Sequence, residues 1–345
     1  MEKQEIFKFL KKLAEIPGPV GREEKVQNYL ESNWNQIGIK TRFDKIGNLY
    51  GEIEGEGPHW AIVGHADSIG FLVQKILPSG FLKMAFNTAA TTPDARFLAG
   101  TPLEFLNDRD EVILGYFGLR SGHLAGIEGK KKPILFEDLF IDLGVDSSEE
   151  VRDLGIDVGT PAVFGTTVTQ IGRNYVGKAM DNRIAGTIQT FLGKKLREID
   201  NGSRITLIST VQEELGMKGA AAAAKTSEFD GVINVDVGLT GDFPNTSNDY
   251  ISTKLGAGPI IVYKDFSIHY SHSLIKELEA SATSHQIPFQ KAVFKNYNTD
   301  GMYFFMQGFP TIALAVPCRY THTNFETVQV TDIQNTLLLL SNFIS

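Results

Sequence analysis

The chain has 345 residues, of which 42% are hydrophobic and 21% charged, and its formal net charge is −8. This composition excludes a disordered chain, and the acidic balance argues against binding to nucleic acid or to anionic membranes. No run of about 18 apolar residues occurs, so we predict no helix that spans a bilayer. With Cys318 as its one cysteine and a charged N-terminus, the sequence predicts a soluble protein without internal disulfides in a reducing compartment, the cytoplasm.

The first 71 residues predict two helices and then three strands. Apolar residues at near-helical spacing indicate the helices, and Pro17 ends the first of them. A Gly-Asn turn separates the first two strands, and a short apolar run indicates a buried third strand. The expected helices cover residues 5–16 and 22–36, and the expected strands cover 39–45, 48–54 and 60–63.

Residues 72–165 have a different pattern, in which short apolar pieces alternate with turn residues. This pattern is typical of a small β-rich module. One short helix is expected over 147–154, with serine at its start. The expected strands include 112–116, 139–143 and 161–164.

Helices and strands alternate again after residue 166, as in α/β domains. The expected elements are helix 182–198, strand 204–211, an alanine-rich helix from 217, strand 231–237, helix 272–285, strand 311–316 and helix 332–344. We therefore predict one α/β domain built from residues 1–71 and 166–345, with a β-rich domain over 72–165 inserted in its middle.

Polar side chains collect where the predicted apolar strands end. Ligands of open α/β sheets bind outside the carboxyl ends of the strands, so we expect these side chains to converge on one site. Asp181 stands immediately before a predicted helix, where it also suits the N-cap. The side chains at the strand ends are His65, Asp67, Glu213, Glu214, Asp236 and, after a short loop, His322.

Two histidines with three or more carboxylates form a ligand set that suits Zn²⁺, Co²⁺ or Mn²⁺ and lacks the thiolates of a structural zinc site. The carboxylates outnumber those that one ion requires, which predicts two divalent ions with a bridging carboxylate. Neighbouring strand residues point to opposite faces, so one of Glu213 and Glu214 is expected to bind metal and the other to handle protons. The same alternation puts Asp67 on the side of His65, where it is expected to orient the imidazole.

Five motifs occur in one order along the chain: Gly-His-Ala-Asp-Ser-Ile-Gly-Phe at 64–71, Lys-Ala-Met-Asp-Asn-Arg at 178–183, Thr-Val-Gln-Glu-Glu-Leu-Gly at 210–216, Val-Asp-Val at 235–237 and Arg-Tyr-Thr-His at 319–322. Together they resemble the di-metal aminopeptidases that assemble into tetrahedral shells. That family includes glutamyl, leucyl and deblocking aminopeptidases, and some members were labelled endoglucanases. The likeness covers nearly the whole chain.

The resemblance implies a role for each motif residue. One metal ion would be bound by His65, Asp181 and Asp236, and the other by Asp181, Glu214 and His322, with Asp181 as the bridge. Glu213 would be the general base, and Asp67 would support His65. The enzyme would remove N-terminal residues from short peptides through a hydroxide that bridges the two metals.

The resemblance also implies the architecture. The catalytic part would be an α/β/α domain with a mixed sheet, and the inserted module would be a small β-barrel-like dimerisation domain. The implied assembly is a homo-oligomer, a dodecamer built from dimers, whose chamber admits short peptides and excludes folded proteins.

The sequence departs from the family pattern at a few positions. Ser68 stands where the family commonly has glutamate, and Asn182 where it commonly has aspartate. Residues 297–298 are Tyr-Asn in place of a glycine pair, just before Thr299 and Asp300, which are themselves candidates for the substrate pocket. None of these residues is an expected ligand, so the departures bear on pocket shape and substrate preference rather than on the chemistry.

Three alternatives stay open at this stage. A related di-metal carboxypeptidase or deacylase has a similar ligand order, and a requirement for a free N-terminus separates an aminopeptidase from it. A glycoside hydrolase needs two carboxyl groups about 5–9.5 Å apart and no metal, so it leaves the histidines unexplained and would tolerate chelators. A non-catalytic assembly protein with this fold would be indicated by the loss of a ligand, and none is lost.

Overall fold

The computed structural model describes residues 2–89, 92–199, 202–225, 228–246 and 250–345. Its strands are β1 (Lys40–Phe43), β2 (Leu49–Ile53), β3 (His59–His65), β4 (Phe71–Ile76), β5 (Leu82–Phe86), β6 (Pro102–Leu106), β7 (Val112–Gly118), β8 (Phe140–Asp142), β9 (Pro161–Phe164), β10 (Thr169–Ile171), β11 (Asn174–Gly177), β12 (Arg204–Thr210), β13 (Gly231–Leu239), β14 (Ile260–Lys264), β15 (Gln290–Val293), β16 (Thr311–Cys318) and β17 (Glu326–Gln329).

The helices are α1 (Lys3–Glu15), α2 (Glu24–Gln36), α3 (Gly122–Lys130), α4 (Ser148–Asp153), α5 (Met180–Glu198), α6 (Lys218–Ala223), α7 (His272–Ser284), α8 (Gly301–Met306) and α9 (Val330–Ile344). They pack on both faces of the main sheet, except α3 and α4, which lie between strands of a separate barrel. Within the described residues, no helix has both the length and the apolar character that crossing a membrane would need.

The main sheet is mixed and has the strand order β1-β2-β12-β3-β13-β16-β14-β15 in the described part of the chain. Its four central strands, β12, β3, β13 and β16, are mutually parallel, while β2 and β14 run antiparallel on either side. The carboxyl ends of the four central strands therefore lie at one edge of the sheet, as the sequence predicts. The α/β fold class with a mixed sheet is confirmed.

Alternating residues of β3 pack into two separate cores, one on each face of the sheet. Ile62 belongs to the larger core, which the helices α1, α2, α5, α7 and α9 cover, while Ala61 and Val63 belong to the core under α6 and α8. The alanine-rich run is in α6, where Ala220 and Ala223 are fully buried. Small side chains here allow the helix to lie close to the sheet.

The β-rich module is a closed barrel with the strand order β4-β5-β8-β7-β6-β9. Its own core contains Phe71, Phe105 and Phe117, each at most 2% exposed. The barrel begins a few residues after His65, the last residue of β3, and the chain returns to the main sheet at β12, after α5. The boundaries at 71 and 166 stay a prediction.

The predicted elements of the main domain are present, with small shifts at their ends. The sequence analysis missed β14 and β15, because β14 is followed by polar residues and β15 alternates between exposed and half-buried positions at the edge of the sheet. A three-stranded sheet of β10, β11 and β17 was also missed, and it joins the segment before α5 to the segment after His322.

Candidate functional site

The strand ends surround one cavity of about 610 Å³ at the carboxyl edge of the main sheet. Six of the seven side chains singled out in the sequence line this cavity, while Asp67 is fully buried behind it. The six are His65, Asp181, Glu213, Glu214, Asp236 and His322.

Asp181 is the centre of this group, because its two carboxylate oxygens face different histidines. Its Oδ1 lies 3.1 Å from Nε2 of His65, and its Oδ2 lies 3.5 Å from Nε2 of His322. One carboxylate therefore stands between two imidazoles, the arrangement that a bridging ligand needs.

The remaining carboxylates stand around the same two imidazoles. Glu214 Oε1 is 3.5 Å from His322 Nε2, and Asp236 Oδ1 is 4.0 Å from His65 Nε2. Ligand atoms of His65, Asp181 and Glu214 all lie within 4.8 Å of one another. Glu213 Oε2 lies 3.9 Å from His65 Nε2, on the same side of the cavity.

The donor set fits a divalent cation. Imidazole nitrogens and carboxylate oxygens are the ligands that Zn²⁺, Co²⁺ and Mn²⁺ accept. Glu214 Oε1 is buried and accepts no hydrogen bond from any residue that the structure describes, although a buried carboxylate oxygen normally has a donor. A cation bound between Glu214 and His322 would satisfy that oxygen.

The electrostatics of the cluster agree with such a cation. Burial, together with the negative charge of Asp181, raises the pKa of Glu214 to about 7, although His322 opposes the shift. Burial also raises the pKa of Glu213 well above its usual range. Burial lowers the pKa of His322, but the charges of Glu214 and Asp181 overcome this and raise it to about 10. The cluster therefore holds more buried negative charge than its histidines offset.

Asp67 holds the backbone beneath the two glutamates. Its Oδ1 accepts a hydrogen bond from the N–H of Glu213 and its Oδ2 one from the N–H of Glu214, both at 3.0 Å. His65 Nδ1 lies 3.2 Å from the backbone oxygen of Asp67 and 3.5 Å from its Oδ1. Both oxygens lie next to the imidazole, and the support of His65 by the Asp67 carboxylate stays a prediction.

Two further side chains, which the sequence analysis missed, continue this row of hydrogen bonds. Asn48 Oδ1 accepts from the N–H of Val211 at 3.0 Å, and Glu23 Oε1 accepts from the N–H of Gln212 at 3.1 Å. Four successive amides, 211–214, therefore each donate to a side chain from another part of the chain. Gln212 has a φ of +55°, so the chain turns sharply here, and these bonds hold the turn.

Glu326 is another missed residue, and it supports the opposite side of the cluster. It is buried, its Oε1 accepts from the N–H of His322 at 2.8 Å, and its Oε2 accepts from the N–H of Asp181 at 3.1 Å. One carboxylate thus fixes the backbone of two expected ligands. It lies on β17, a strand for which the sequence carries no clear signal.

Arg183 is a buried cation behind the cluster. Its guanidinium donates to the backbone oxygens of Leu13 at 3.3 Å, Ile16 at 3.4 Å and Ala66, so it joins the end of α1 to the His65–Asp67 segment. Burial lowers the pKa of Arg183 to about 10, and the charge of Asp67 opposes this shift. The positive charge partly offsets the acidic cluster.

The prediction that Asp181 also caps the N-terminus of α5 is wrong. Asp181 has a non-helical backbone with φ −79° and ψ 105°, and its side chain faces the histidines instead. The capping bond comes from Asn182, whose Oδ1 accepts from the N–H of Ala185 at 3.1 Å. The departure from aspartate at 182 therefore leaves the cap intact.

The prediction that Thr299 and Asp300 line the substrate pocket was wrong. Both are buried behind the cavity, where Asp300 accepts a hydrogen bond from Thr210 Oγ1. The two residues before them, Tyr297 and Asn298, line the cavity instead. The departure from the glycine pair therefore lies in the pocket wall.

Comparison with known proteins gives the family. Residues 47–339 match the family described as M42 glutamyl aminopeptidase. The chain is 31% identical to the "Putative aminopeptidase" of Acetivibrio thermocellus over 99% of this chain and 98% of that protein. It is 30% identical to the "Putative aminopeptidase FrvX" of Escherichia coli over 98% of this chain and 95% of that protein. It is 26% identical to the lysyl aminopeptidase of Pyrococcus furiosus over 96% of this chain and 95% of that protein.

Solved structures agree with this assignment. An aminopeptidase from the archaeon Desulfurococcus kamchatkensis superposes with a TM-score of 0.93 at 28% identity, covering 99% of this chain and 95% of that one. The TET1 peptidase of Pyrococcus horikoshii superposes with a TM-score of 0.87 at 28% identity, covering 98% of this chain and 99% of that one. That peptidase is described as assembling into a tetrahedron or a large octahedral shell. The chain therefore belongs to the M42 glutamyl aminopeptidase family, and it is a metal-dependent aminopeptidase.

Proposed function

We propose that this aminopeptidase binds two divalent ions through five side chains and removes N-terminal residues from short peptides. The observation that carries the proposal is the position of Asp181 between His65 and His322, at 3.1 Å and 3.5 Å. In this proposal Asp181 would be a ligand of both ions. His65 and Asp236 complete one ligand set, and Glu214 and His322 complete the other.

The proposed ions are Zn²⁺ or Co²⁺, with Mn²⁺ as a third candidate. A set of two imidazoles and three carboxylates suits all three, and geometry and availability decide among them. The proposed count of two rests on Asp181, which turns one oxygen towards each histidine, and on the surplus of carboxylates over the needs of one ion.

Divalent ions in such a site supply a water of lowered pKa and polarise the scissile carbonyl. We assign the proton transfers to Glu213, whose carboxylate lines the cavity 3.9 Å from His65 Nε2. As general base it takes a proton from the attacking water, and it then passes a proton to the departing amine. Burial raises the pKa of Glu213 well above its usual range, so its carboxyl group holds a proton more tightly than that of an exposed glutamate.

The other residues keep Glu213 and the ligands in place. Asp67 holds the N–H groups of Glu213 and Glu214, and Glu326 holds those of Asp181 and His322. The free α-amine of the substrate would be held beside the cluster by one of the bound ions. Exopeptidase action follows, because an internal residue has no such amine.

We propose that residues 1–71 and 166–345 form the catalytic domain and that residues 72–165 form a dimerisation domain. The barrel exposes large apolar side chains, including Leu114 at 57% and Tyr116 at 53%, as a surface covered by a second copy would. The proposed assembly is a dodecamer built from dimers, with inward-facing sites, in line with the shell described for the Pyrococcus horikoshii peptidase. Sedimentation that gives only a monomer would contradict it.

We place the enzyme in the cytoplasm. The chain has one cysteine, Cys318, and it is buried and free, so the fold makes no use of an oxidising environment. Detection of the native protein in an extracellular fraction would contradict this placement.

The function is tested with one peptide in two forms, with a free and with an acetylated N-terminus. We expect purified protein loaded with Zn²⁺, Co²⁺ or Mn²⁺ to release the first residue of the free form only, and a chelator to abolish the release. Cleavage of the acetylated form, or release at the C-terminus, would favour the deacylase or carboxypeptidase alternative. Activity that survives full metal removal would contradict the proposal.

A further inference from the structure

The relatives leave the preferred N-terminal residue open. The family description names a glutamyl enzyme, and the Pyrococcus furiosus relative is a lysyl enzyme. A glutamate side chain is anionic and a lysine side chain cationic, so the charge of the pocket wall decides between such substrates. The relevant wall is the part of the cavity beyond the six side chains of the metal cluster.

This part of the wall combines six apolar side chains with uncharged threonines and asparagines and a single aspartate among the described residues. Val237 and Leu239 follow Asp236 on β13, and Met217 follows the two glutamates, so these apolar side chains begin directly beside the cluster. Aromatic rings from three other segments complete the surface. The apolar side chains of the wall are Phe97, Met217, Val237, Leu239, Phe266 and Tyr297.

The wall carries no positive charge. No Lys or Arg lines the cavity among the described residues, and the residues outside the described part include neither type. Lys218 is exposed, and its Nζ comes within 3.4 Å of the place that a Cβ on Gly216 would occupy, at the edge of the lining. A glutamyl carboxylate entering this cavity would find no cation in the described wall, only uncharged donors such as Asn296 and Thr321.

The wall also offers no free negative charge for a lysyl side chain. Apart from the cluster, its one charged residue among those described is Asp94. The carboxylate of Asp94 already accepts hydrogen bonds from Arg96, at 3.0 Å from Nε and 2.5 Å from Nη2. The opposite charge of Arg96 offsets that of Asp94, so a lysyl ammonium would gain little there.

We propose that the cavity takes an uncharged, apolar N-terminal side chain, such as that of leucine, methionine or phenylalanine, in preference to an acidic or basic one. The inference rests on the proposed function, because it places the α-amine at the cluster and the first side chain against the wall. Apolar contact stabilises such a side chain, whereas a charged one loses hydration without gaining a partner of opposite charge in the wall.

The test compares leucyl, α-glutamyl and lysyl 4-nitroanilides, which share one leaving group. We expect kcat/KM for the leucyl substrate to exceed both others at least tenfold. A smaller margin, or a faster charged substrate, overturns the inference while leaving the proposed function intact. Absence of hydrolysis of all three with Zn²⁺, Co²⁺ and Mn²⁺ would instead refute the proposed function, and the inference with it.

A variant series locates the preference in the wall. Leu239→Lys adds the missing cation and is expected to reduce the leucyl-to-glutamyl ratio at least tenfold, whereas Leu239→Met is expected to keep it. Lys218→Ala, at an exposed position, is expected to change the ratios less than threefold. A Leu239→Lys protein with the wild-type ratio and melting temperature overturns the assignment of the wall, and so does a larger change in the Lys218→Ala variant.

Discussion

Asp67 Oδ1 accepts a hydrogen bond from the backbone N–H of Glu213 at 3.0 Å, although 146 residues separate the two along the chain. The second oxygen of the same carboxylate accepts from the N–H of Glu214. A fully buried side chain at the end of β3 thereby fixes the proposed base and the proposed ligand at the end of β12. The position of Glu213 depends on this contact, which gives the first prediction.

Asp67→Asn should lower kcat about 10- to 100-fold while the metal content stays close to that of the wild type. The asparagine amide has one oxygen and one NH₂ group, so it can accept from only one of the two backbone N–H groups, and its NH₂ faces the other. Losing a charge-assisted hydrogen bond costs about 1.5–3 kcal/mol. Steady-state kinetics with elemental analysis of bound metal provides the measurement. Asp153→Asn, at an exposed position of α4, is the matched control. A kcat within twofold of wild type would refute the role.

Asp181→Ala should reduce metal occupancy at both sites rather than at one. Its two oxygens face different histidines, so the substitution removes a ligand from each proposed set. Metal content is measured after dialysis against a defined free concentration of Zn²⁺, with Asp236→Ala as the comparison that should affect mainly one site. Retention of two ions by Asp181→Ala would remove its bridging role.

Most of the main sheet was predictable, because its buried strands are continuous apolar runs, and the polar residues at their ends mark the site. Glu23 and Asn48 were not predictable as supports of the 211–214 turn. Their partners are 189 and 163 residues away, and no local pattern encodes that contact. Glu326 was not predictable for the same reason. Its hydrogen bonds to the backbone of His322 and Asp181 depend on the path of the chain after His322. Local periodicity predicts elements, whereas tertiary packing determines these supports.

The ion pair between Lys178 and Glu104 should contribute strongly to stability. It joins the segment before α5 to the barrel at 2.6 Å, and the Lys178 side chain is only 4% exposed. Glu104→Gln leaves a buried ammonium without its partner, so the free energy of unfolding should fall by about 3 kcal/mol. Urea unfolding measures this, with Glu128→Gln of the exposed pair with Lys131 as the control that should change little. Equal effects of the two substitutions would contradict the prediction.

Asp332 should make stability depend on pH in the mildly acidic range. Burial raises the pKa of Asp332 from 3.8 to about 6, although the N–H groups of Gly256 and Gly258 favour the charged form. The folded chain then holds this proton more tightly than the unfolded chain. The resulting contribution of Asp332 to the free energy of unfolding is therefore full below about pH 4 and is lost as the pH rises through about 6.

Asp332→Asn cannot ionise at this position, so the difference in free energy of unfolding between wild type and variant isolates the effect. We expect the advantage of the wild type over the variant to decrease between pH 4 and pH 7, as measured by urea unfolding at fixed ionic strength. A difference that is constant or that grows with pH would show that the carboxylate is charged throughout.

The most direct test of the account is Glu213→Gln, because the substitution removes the proposed base and keeps the size of the side chain. General acid–base catalysis contributes about 10²- to 10⁴-fold, so kcat on leucyl 4-nitroanilide should fall by that factor. The metal content and the melting temperature should match those of the wild type. A variant that retains both its metal and more than a tenth of the wild-type kcat would contradict the role of Glu213 and the proposed mechanism.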